Sequence, residues 1–167
     1  QREELFKLAY LGQSFVNVVE LIASFKIEEL NDFKFVEGID FSFVKGKRFR
    51  ITCNRIGGHD FSANDVEREI GRYIKGGDVD LENPQVVIYV YLYNEMCYLG
   101  VDYNNFDLSK RDYNVHPHSK SIKGTVAYAM LMIGGYEKGK TLLDPFCLSG
   151  TIAIEASFYS TKFAINY

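Results

Sequence analysis

Apolar and polar residues alternate along residues 47–54. On an extended chain, one face would carry the apolar set and the other a polar set with two arginines: Phe49, Ile51 and Cys53 against Arg48, Arg50, Thr52 and Asn54. A period of two places successive side chains on opposite faces of a strand. The pattern therefore predicts a half-buried strand whose outer face is cationic, followed by a turn at Gly57-Gly58.

The period changes to that of a helix after Ser62. Ser62 is a good N-cap, and the acid three residues later, Asp65, can complete a capping box. Phe61 and Val66 are placed to pack together across the helix start as a hydrophobic staple. The apolar stripe comprises Val66, Ile70, Tyr73 and Ile74, and Gly76-Gly77 marks the end of the helix.

Residues 86–93 are a run of valine, isoleucine, leucine and tyrosine, which favours a buried strand. Asn94-Glu95 then predicts a turn into a second strand over 96–101. Residues 46–103 thus resolve into strand, helix, strand and strand, which indicates a small α/β unit with its own core.

The first 45 residues have shorter patterns. We expect a short strand over 5–10. An amphipathic helix is expected over 13–25, where four apolar residues recur at helical spacing: Phe15, Val18, Val19 and Ile22. Alternating phenylalanines on either side of Gly38 predict two short strands; they are Phe33, Phe35, Phe41 and Phe43.

After a polar, turn-rich stretch over 104–119, residues 120–133 predict a helix that Gly134-Gly135 ends. Its expected buried face comprises Ile122, Val126, Ala129, Met130 and Ile133. A short apolar strand over 142–144, a loop and a helix over 151–160 follow.

Composition narrows the protein class only slightly. The net charge is −3, so the chain is not a strongly basic nucleic-acid binder, yet residues 45–75 hold eight Lys/Arg against four Asp/Glu. This local excess fits either an RNA partner or a solvated face of mixed charge. Three widely spaced cysteines favour a reducing, cytoplasmic environment, and no spacing of Cys and His is typical of a metal site. No membrane span or signal peptide is expected.

Residues 142–156 predict a strand, a tight loop and a helix, the arrangement that holds nucleotide-like ligands in doubly wound folds. The loop resembles motif I of class I methyltransferases that use S-adenosyl-L-methionine (SAM), in the Asp-Pro-Phe-Cys-Gly-Ser-Gly-Thr form. Seven of the eight positions match: Asp144, Pro145, Phe146, Cys147, Ser149, Gly150 and Thr151. Leu148 departs from the usual glycine. The resemblance implies that these seven residues bind SAM. Because the sequence places no base beside Cys147, we expect this residue to be a small packing residue rather than a nucleophile.

Residues 46–103 resemble a THUMP domain, through Arg48-Phe49-Arg50, the stretch from Arg55 to Ser62, Asp65-Val66-Glu67 and the segment 79–84. Residues 1–45 resemble the truncated ferredoxin-like domain that often precedes THUMP. Lys110-Arg111-Asp112-Tyr113, in the linker 104–119, resembles the Lys-Arg-Gly-Tyr segment that joins THUMP to a methyltransferase. Residues 120–167 would then begin a Rossmann-like class I domain, which makes the whole chain α/β (α+β).

The resemblance implies a portion of a SAM-dependent methyltransferase that acts on a base nitrogen of tRNA or another structured RNA, with guanine N2 as the expected acceptor. The candidate RNA-binding residues are Arg48, Arg50, Arg55, His59, Lys110 and Arg111; each has the alternative of a solvated or structural role. A non-enzymatic RNA-binding adaptor is the second hypothesis. A DNA amino-methyltransferase shares motif I, but the THUMP resemblance argues against it.

The family's Asn-Pro-Pro-Tyr segment, which holds the target base, has no counterpart, because the three prolines are all isolated. No catalytic residue is therefore assigned in this chain. We expect the chain alone to bind RNA without methylating it. One strand cannot bury both its faces, so we also expect residues 120–167 to be marginally stable alone or supported by another chain.

Overall fold

The structure is a computed structural model that describes residues 2–104, 107–115 and 118–164. The chain divides into two compact units, one of residues 19–105 and one of residues 1–18 with 106–167. We refer to them as the sheet unit and the helical unit. No helix among the described residues is long and apolar enough to cross a membrane.

The sheet unit holds five strands in the order β1-β5-β4-β2-β3. They are β1 (Val19–Lys26), β2 (Arg48–Ile56), β3 (Asp78–Val79), β4 (Val86–Tyr93) and β5 (Met96–Asp102). The β2 strand is parallel to β3 and β4, whereas β5 is antiparallel to both β4 and β1. The parallel β2–β4 pair requires a crossover, which helix α2 (Ala63–Tyr73) provides.

The predicted elements from 48 to 102 are confirmed. Ser62 accepts a hydrogen bond from the Asp65 N–H, and Asp65 accepts one from the Ser62 N–H, so the capping box is complete. Phe61 and Val66 are both buried in the core, as expected for a staple. Asn94, with φ of 50°, forms the turn between β4 and β5.

The secondary structure predicted for the first 45 residues was wrong. Residues Arg2–Leu11 form helix α1 rather than a strand, and Val19–Lys26 form β1 rather than part of a helix. A shift in register between Leu21 and Ala23 interrupts the regular alternation of β1, so its apolar residues fall at helix-like spacing. The phenylalanine segments form 3₁₀ helices, Leu30–Gly38 and Ser42–Val44, instead of strands. Phe33 and Val36, three residues apart, are both fully buried, which fits a turn of three residues.

Our boundary at residue 45 between a ferredoxin-like piece and the next domain stays a prediction. The sheet itself continues across that position, because β1 pairs with β5. Gly100 allows this close pairing, since a Cβ there would lie 2.4 Å from the carbonyl oxygen of Glu20.

The helical unit contains α1, α3 (Gly124–Ile133) and α4 (Thr151–Thr161), and α3 packs against α4. The predicted buried face of α3 was wrong: Val126, Met130 and Ile133 are exposed, whereas Ala127 and Leu131 are buried. Nearly every residue of this helix is apolar, so its periodicity could not identify the face that α4 covers.

The predicted strand over 142–144 is also absent: these residues belong to no helix or strand. A parallel strand needs a hydrogen-bonded neighbour, and none of the described strands pairs with this segment. The helix after the loop is confirmed as α4.

Candidate functional site

Residues 144–150 form a compact loop that leads into α4. The N–H of Phe146 donates to Asp144 Oδ1 at 3.2 Å, and the N–H of Gly150 donates to the carbonyl of Cys147 at 2.6 Å. Leu148 and Gly150 both have positive φ, at 46° and 74°. The loop therefore takes the left-handed conformation twice, once at a residue that carries a side chain.

The seven candidate cofactor residues lie together in this loop and in the first turn of α4. Phe146 is 84% exposed, and Cys147 is exposed too, so the packing role predicted for Cys147 is not found. Ser149 Oγ lies 2.7 Å from Ser121 Oγ and 3.1 Å from Thr151 Oγ1. These hydroxyls connect the loop to the segment before α3.

The first turn of α4 has no side-chain cap, because its N-cap residue is Gly150. The N–H groups at a helix start have no intrahelical partner, and they carry the positive end of the helix dipole. An uncapped start beside a small-residue loop is suited to bind an oxyanion or the polar edge of a nucleotide-like molecule.

Arg111 is buried next to α4 rather than exposed to solvent. Its Nε lies 2.7 Å from Glu155 Oε1, and the two side chains are 2% and 0% exposed. Its terminal nitrogens donate to the carbonyls of Leu108 and Gln13, each at 2.6 Å. Because every guanidinium nitrogen is engaged inside the unit, Arg111 is no phosphate ligand, and the prediction that it binds RNA is corrected.

The Tyr113 hydroxyl also donates to Glu155 Oε1, at 2.5 Å. Burial and this negatively charged partner raise the pKa of Tyr113 well above its ordinary range. Part of the predicted linker is thus fixed to the helix that follows the loop. Sequence reasoning missed Glu155, although it is the only charged residue of α4, and an isolated acid in an apolar helix signals a buried partner.

Arg48 and Arg50 lie on the same face of β2, as predicted. Arg48 forms an ion pair with Asp80 at 3.1 Å, and its side chain remains half exposed. Arg50 donates to the carbonyl of Leu81 at 3.2 Å. The pKa of Asp80 lies below its ordinary value, mainly because the N–H of Asn83 donates to its carboxylate. The two arginines therefore brace the 80–83 turn and present a partly exposed cationic surface.

Arg55 and His59 do not join this surface. Arg55 is exposed, but its odd position in the regular strand β2 turns it to the opposite face from Arg48 and Arg50. His59 donates through Nε2 to the carbonyl of Asn94 at 2.7 Å and packs against Phe61. It connects the β2–α2 turn to the β4–β5 turn, which is the structural role left open for it.

Lys110 lies in the other unit, exposed at a cleft of the helical unit that Lys123 also lines. Lys123 was not predicted as a site residue. Its position directly before α3, at a helix start without a side-chain cap, was the available signal.

Comparison with known families matches both parts of the chain. The THUMP domain family matches residues 33–102, and the RMKL-like methyltransferase domain of family UPF0020 matches residues 111–167. The chain thus matches a THUMP domain followed by a segment of a methyltransferase domain, and the resemblance predicted from the sequence is confirmed.

Individual relatives agree with this class. A tRNA (guanine(6)-N2)-methyltransferase of Archaeoglobus fulgidus is 37% identical over 121 residues, covering 66% of this chain and 31% of the relative. An enzyme with the same description from Thermus thermophilus is 36% identical over 112 residues, covering 65% and 33%. The crystal structure of TrmN from Thermus thermophilus matches with a TM-score of 0.68 and 29% identity, covering 89% of this chain and 47% of TrmN. The chain therefore spans about a third of the length of the curated relatives it matches.

Proposed function

We propose that this chain supplies the RNA-binding domain and the cofactor loop of a SAM-dependent methyltransferase that modifies guanine N2 in tRNA. The observation that carries the proposal is that THUMP and methyltransferase segments occur in one chain, in this order. The Archaeoglobus and Thermus relatives, described as tRNA guanine-N2 methyltransferases, support the substrate. Such a substrate fits the cytoplasmic location expected from the sequence.

The loop and the first turn of α4 fit SAM. The left-handed residues Leu148 and Gly150 bend the chain sharply, and the uncapped N–H groups of α4 face the loop. The residues that would hold the cofactor are Asp144, Pro145, Phe146, Cys147, Ser149, Gly150 and Thr151. When bound, SAM supplies the methyl group, while the loop determines its position.

RNA binding is assigned to exposed or partly exposed cations in each unit. Arg48 and Arg50 on β2, Arg55 at the end of that strand and Lys110 in the helical unit are the proposed phosphate contacts. Contacts of this kind fix the position of an RNA without reading its sequence. The target base would leave its stack to reach the cofactor. The chain alone would bind RNA without methylating it, because its isolated prolines provide no Asn-Pro-Pro-Tyr segment.

The test is filter binding of tRNA to the chain at several salt concentrations. We expect binding that weakens as salt rises, with the logarithmic slope reduced by about two in an Arg48→Gln/Arg50→Gln variant. Lys34→Gln is the matched control, because it removes an exposed cation on a 3₁₀ helix of the same unit. Absence of binding, or binding insensitive to salt, would contradict the proposal.

Leu148 favours the second candidate function, a non-enzymatic RNA-binding adaptor. Leu148 is in a left-handed conformation at a position where the resembled family has glycine. Its side chain leaves less room for SAM in the cofactor loop. The sequence encoded after Tyr167 separates the two: an Asn-Pro-Pro-Tyr segment supports the enzyme, and a stop codon supports the adaptor.

A further inference from the structure

The sheet of the sheet unit has one face in the core and an opposite face rich in tyrosine. Val90, Leu92 and Leu99 belong to the core, together with residues of α2. Because side chains alternate along a strand, the residues between them lie on the opposite face. The register of β4 and β5 brings four tyrosines together there: Tyr89, Tyr91, Tyr93 and Tyr98. We call this group the tyrosine face.

The tyrosine face is open to solvent. Tyr93 is 51% exposed and Tyr98 is 39% exposed. Tyr98 neighbours Tyr91 across the two strands, with 6.4 Å between ring centroids and 34° between ring planes. This separation is near the upper end for aromatic pairs, so neither ring covers the other. The exposed side chains of Leu21 and Ile56 extend the apolar surface on its two sides.

Cations lie at one end of this face. Arg48 and Arg50 are on the side of β2 whose later residues neighbour the tyrosines. Between these arginines and the β4–β5 turn, the described residues of this face include no aspartate or glutamate. Two acids, Glu28 and Glu95, line a cleft at the turn itself. A polyanion is therefore favoured at the arginine end of the face and disfavoured at the turn.

We propose that the tyrosine face binds unpaired bases of the RNA by stacking, while Arg48 and Arg50 hold phosphates of the same strand. The inference rests on the proposed function for the identity of the ligand as RNA, and it adds a surface that distinguishes unpaired from paired nucleotides. Aromatic side chains can stack on any base, because every base has a π face. Sheets that present exposed aromatic rings use them in this way to hold splayed bases.

The surface favours unpaired nucleotides over an RNA duplex. Bases inside a duplex are stacked on one another, so they present edges and backbone rather than ring faces to a protein. A duplex would need phosphate ligands along the whole surface, whereas the tyrosine face has its arginines at one end only. A protein partner could also cover exposed apolar rings. The arginines and the lack of carboxylates beside the rings favour the polyanion.

The first arm of the test measures binding of a short single-stranded oligoadenylate and of tRNA to the full chain. Tyr93→Leu and Tyr98→Leu should each weaken oligoadenylate binding about tenfold, because one stacking ring is lost. The logarithmic salt slope should stay unchanged, because tyrosine carries no charge. Tyr93→Phe and Tyr98→Phe keep the ring and should bind as wild type does.

Phe35→Leu is the matched control for the leucine variants. Phe35 is an exposed aromatic residue of the same unit, and it packs against the core residue Phe25 rather than on the tyrosine face. Its replacement should leave the affinity for oligoadenylate unchanged.

The outcomes of this arm separate the inference from the proposed function. If wild type binds tRNA but no oligoadenylate, or if both leucine variants match wild type, the inference is overturned while the proposed function stands. Equal losses in the leucine and phenylalanine variants would assign the effect to the hydroxyls and overturn stacking. A wild-type chain that binds no tRNA would overturn the proposed function and this inference with it.

The second arm observes the rings of wild type directly. Added oligoadenylate should move the ring proton resonances of Tyr93 and Tyr98 upfield, through the ring currents of stacked bases, and leave those of Phe35 in place. Unmoved tyrosine resonances at saturating oligoadenylate would overturn the inference. Light scattering tests the competing occupant: a dimer that the leucine variants convert to monomer would assign the face to a second copy of the chain and overturn the inference.

Discussion

Arg111 and Glu155 form a buried ion pair 44 residues apart in sequence, with 2.7 Å between Nε and Oε1. The arginine also holds the carbonyls of Leu108 and Gln13, so one side chain connects three segments of the helical unit. Since Glu155 lies on α4, which follows the 144–150 loop, the pair fixes that helix to the segment around Arg111, which follows the residues that match the THUMP family.

Removing one partner of this pair should be costly. We expect Arg111→Met to destabilise the chain by about 3 kcal/mol, because it leaves a buried carboxylate uncompensated. Urea unfolding followed by circular dichroism measures the change. The control is Lys140→Met, which removes an exposed ion pair with Glu137 and should leave stability unchanged. Similar midpoints for the two variants would contradict the role given to Arg111.

Gly124 should be sensitive to a single added methyl group. A Cβ at this position would lie 2.5 Å from Glu155 Oε1 and 2.8 Å from Arg111 Nε. We expect Gly124→Ala to destabilise the chain by about 2 kcal/mol, since neither buried group can move without breaking the pair. The control is Gly38→Ala, where the added Cβ would have no atom within 4 Å, so this variant should have little effect. Thermal unfolding of both variants measures the difference. Equal melting temperatures for the two variants would show that the ion pair tolerates displacement.

Leu148 and Gly150 should respond in opposite directions. Leu148 adopts a positive φ that disfavours a side chain, so we expect Leu148→Gly to stabilise the chain by up to about 1 kcal/mol. Gly150→Ala should destabilise it by about 1 kcal/mol through conformation alone, because the nearest atom to the new methyl is 4.0 Å away. Differential scanning calorimetry of the two variants measures both changes in stability. A loss of stability in Leu148→Gly would mean that the leucine side chain contributes packing that outweighs its strain.

The capping box of α2 should make the sheet unit sensitive to acid. The Ser62 hydroxyl and N–H donate to Asp65 and lower its pKa below the ordinary value of 3.8. A lowered folded-state pKa gives stability that is present above about pH 4 and is lost as pH falls through the folded value. We expect the melting temperature of wild type to fall between pH 5 and about pH 3 more steeply than that of Asp65→Asn. If the melting temperatures of wild type and Asp65→Asn fell equally as the pH was lowered, the role of Asp65 in acid sensitivity would be contradicted.

The three cysteines should differ sharply in reactivity. Burial raises the pKa of Cys53 and of Cys97 to about 12, so neither forms a thiolate near neutral pH. Cys147 is exposed in the loop. Titration with a thiol reagent at neutral pH should therefore show one fast-reacting group, absent in Cys147→Ser, and two more that react only after unfolding. A second fast group would indicate local opening of the sheet.

Local patterns predicted the elements whose partners lie close in the sequence. The β2 strand, the capped helix α2 and the β4–β5 hairpin each contain their own signals, in alternation, caps and turn residues. The motif I loop and the pair Arg48 and Arg50 were predicted for the same reason, since their spacing alone determines that they lie together.

Elements that depend on distant partners could not be predicted this way. The β1 strand is defined by pairing with β5, 70 or more residues later, and its irregular register gives its apolar residues a helix-like spacing. Arg111 is a surface residue by composition, and only the fold shows that Glu155 neutralises it. Arg55 was grouped with Arg48 and Arg50 because they are near in sequence, although strand parity separates their faces.

Val19 and Asp102, near the two ends of the sheet unit, pair directly in neighbouring strands. The polypeptide therefore enters and leaves this unit at neighbouring positions, so the unit could be excised by cutting the chain at two adjacent points. Such a module can be exchanged between host proteins without threading the chain through a second domain. The pairing of the first and last strands thus gives a physical basis for transplanting this sheet unit into a different host protein.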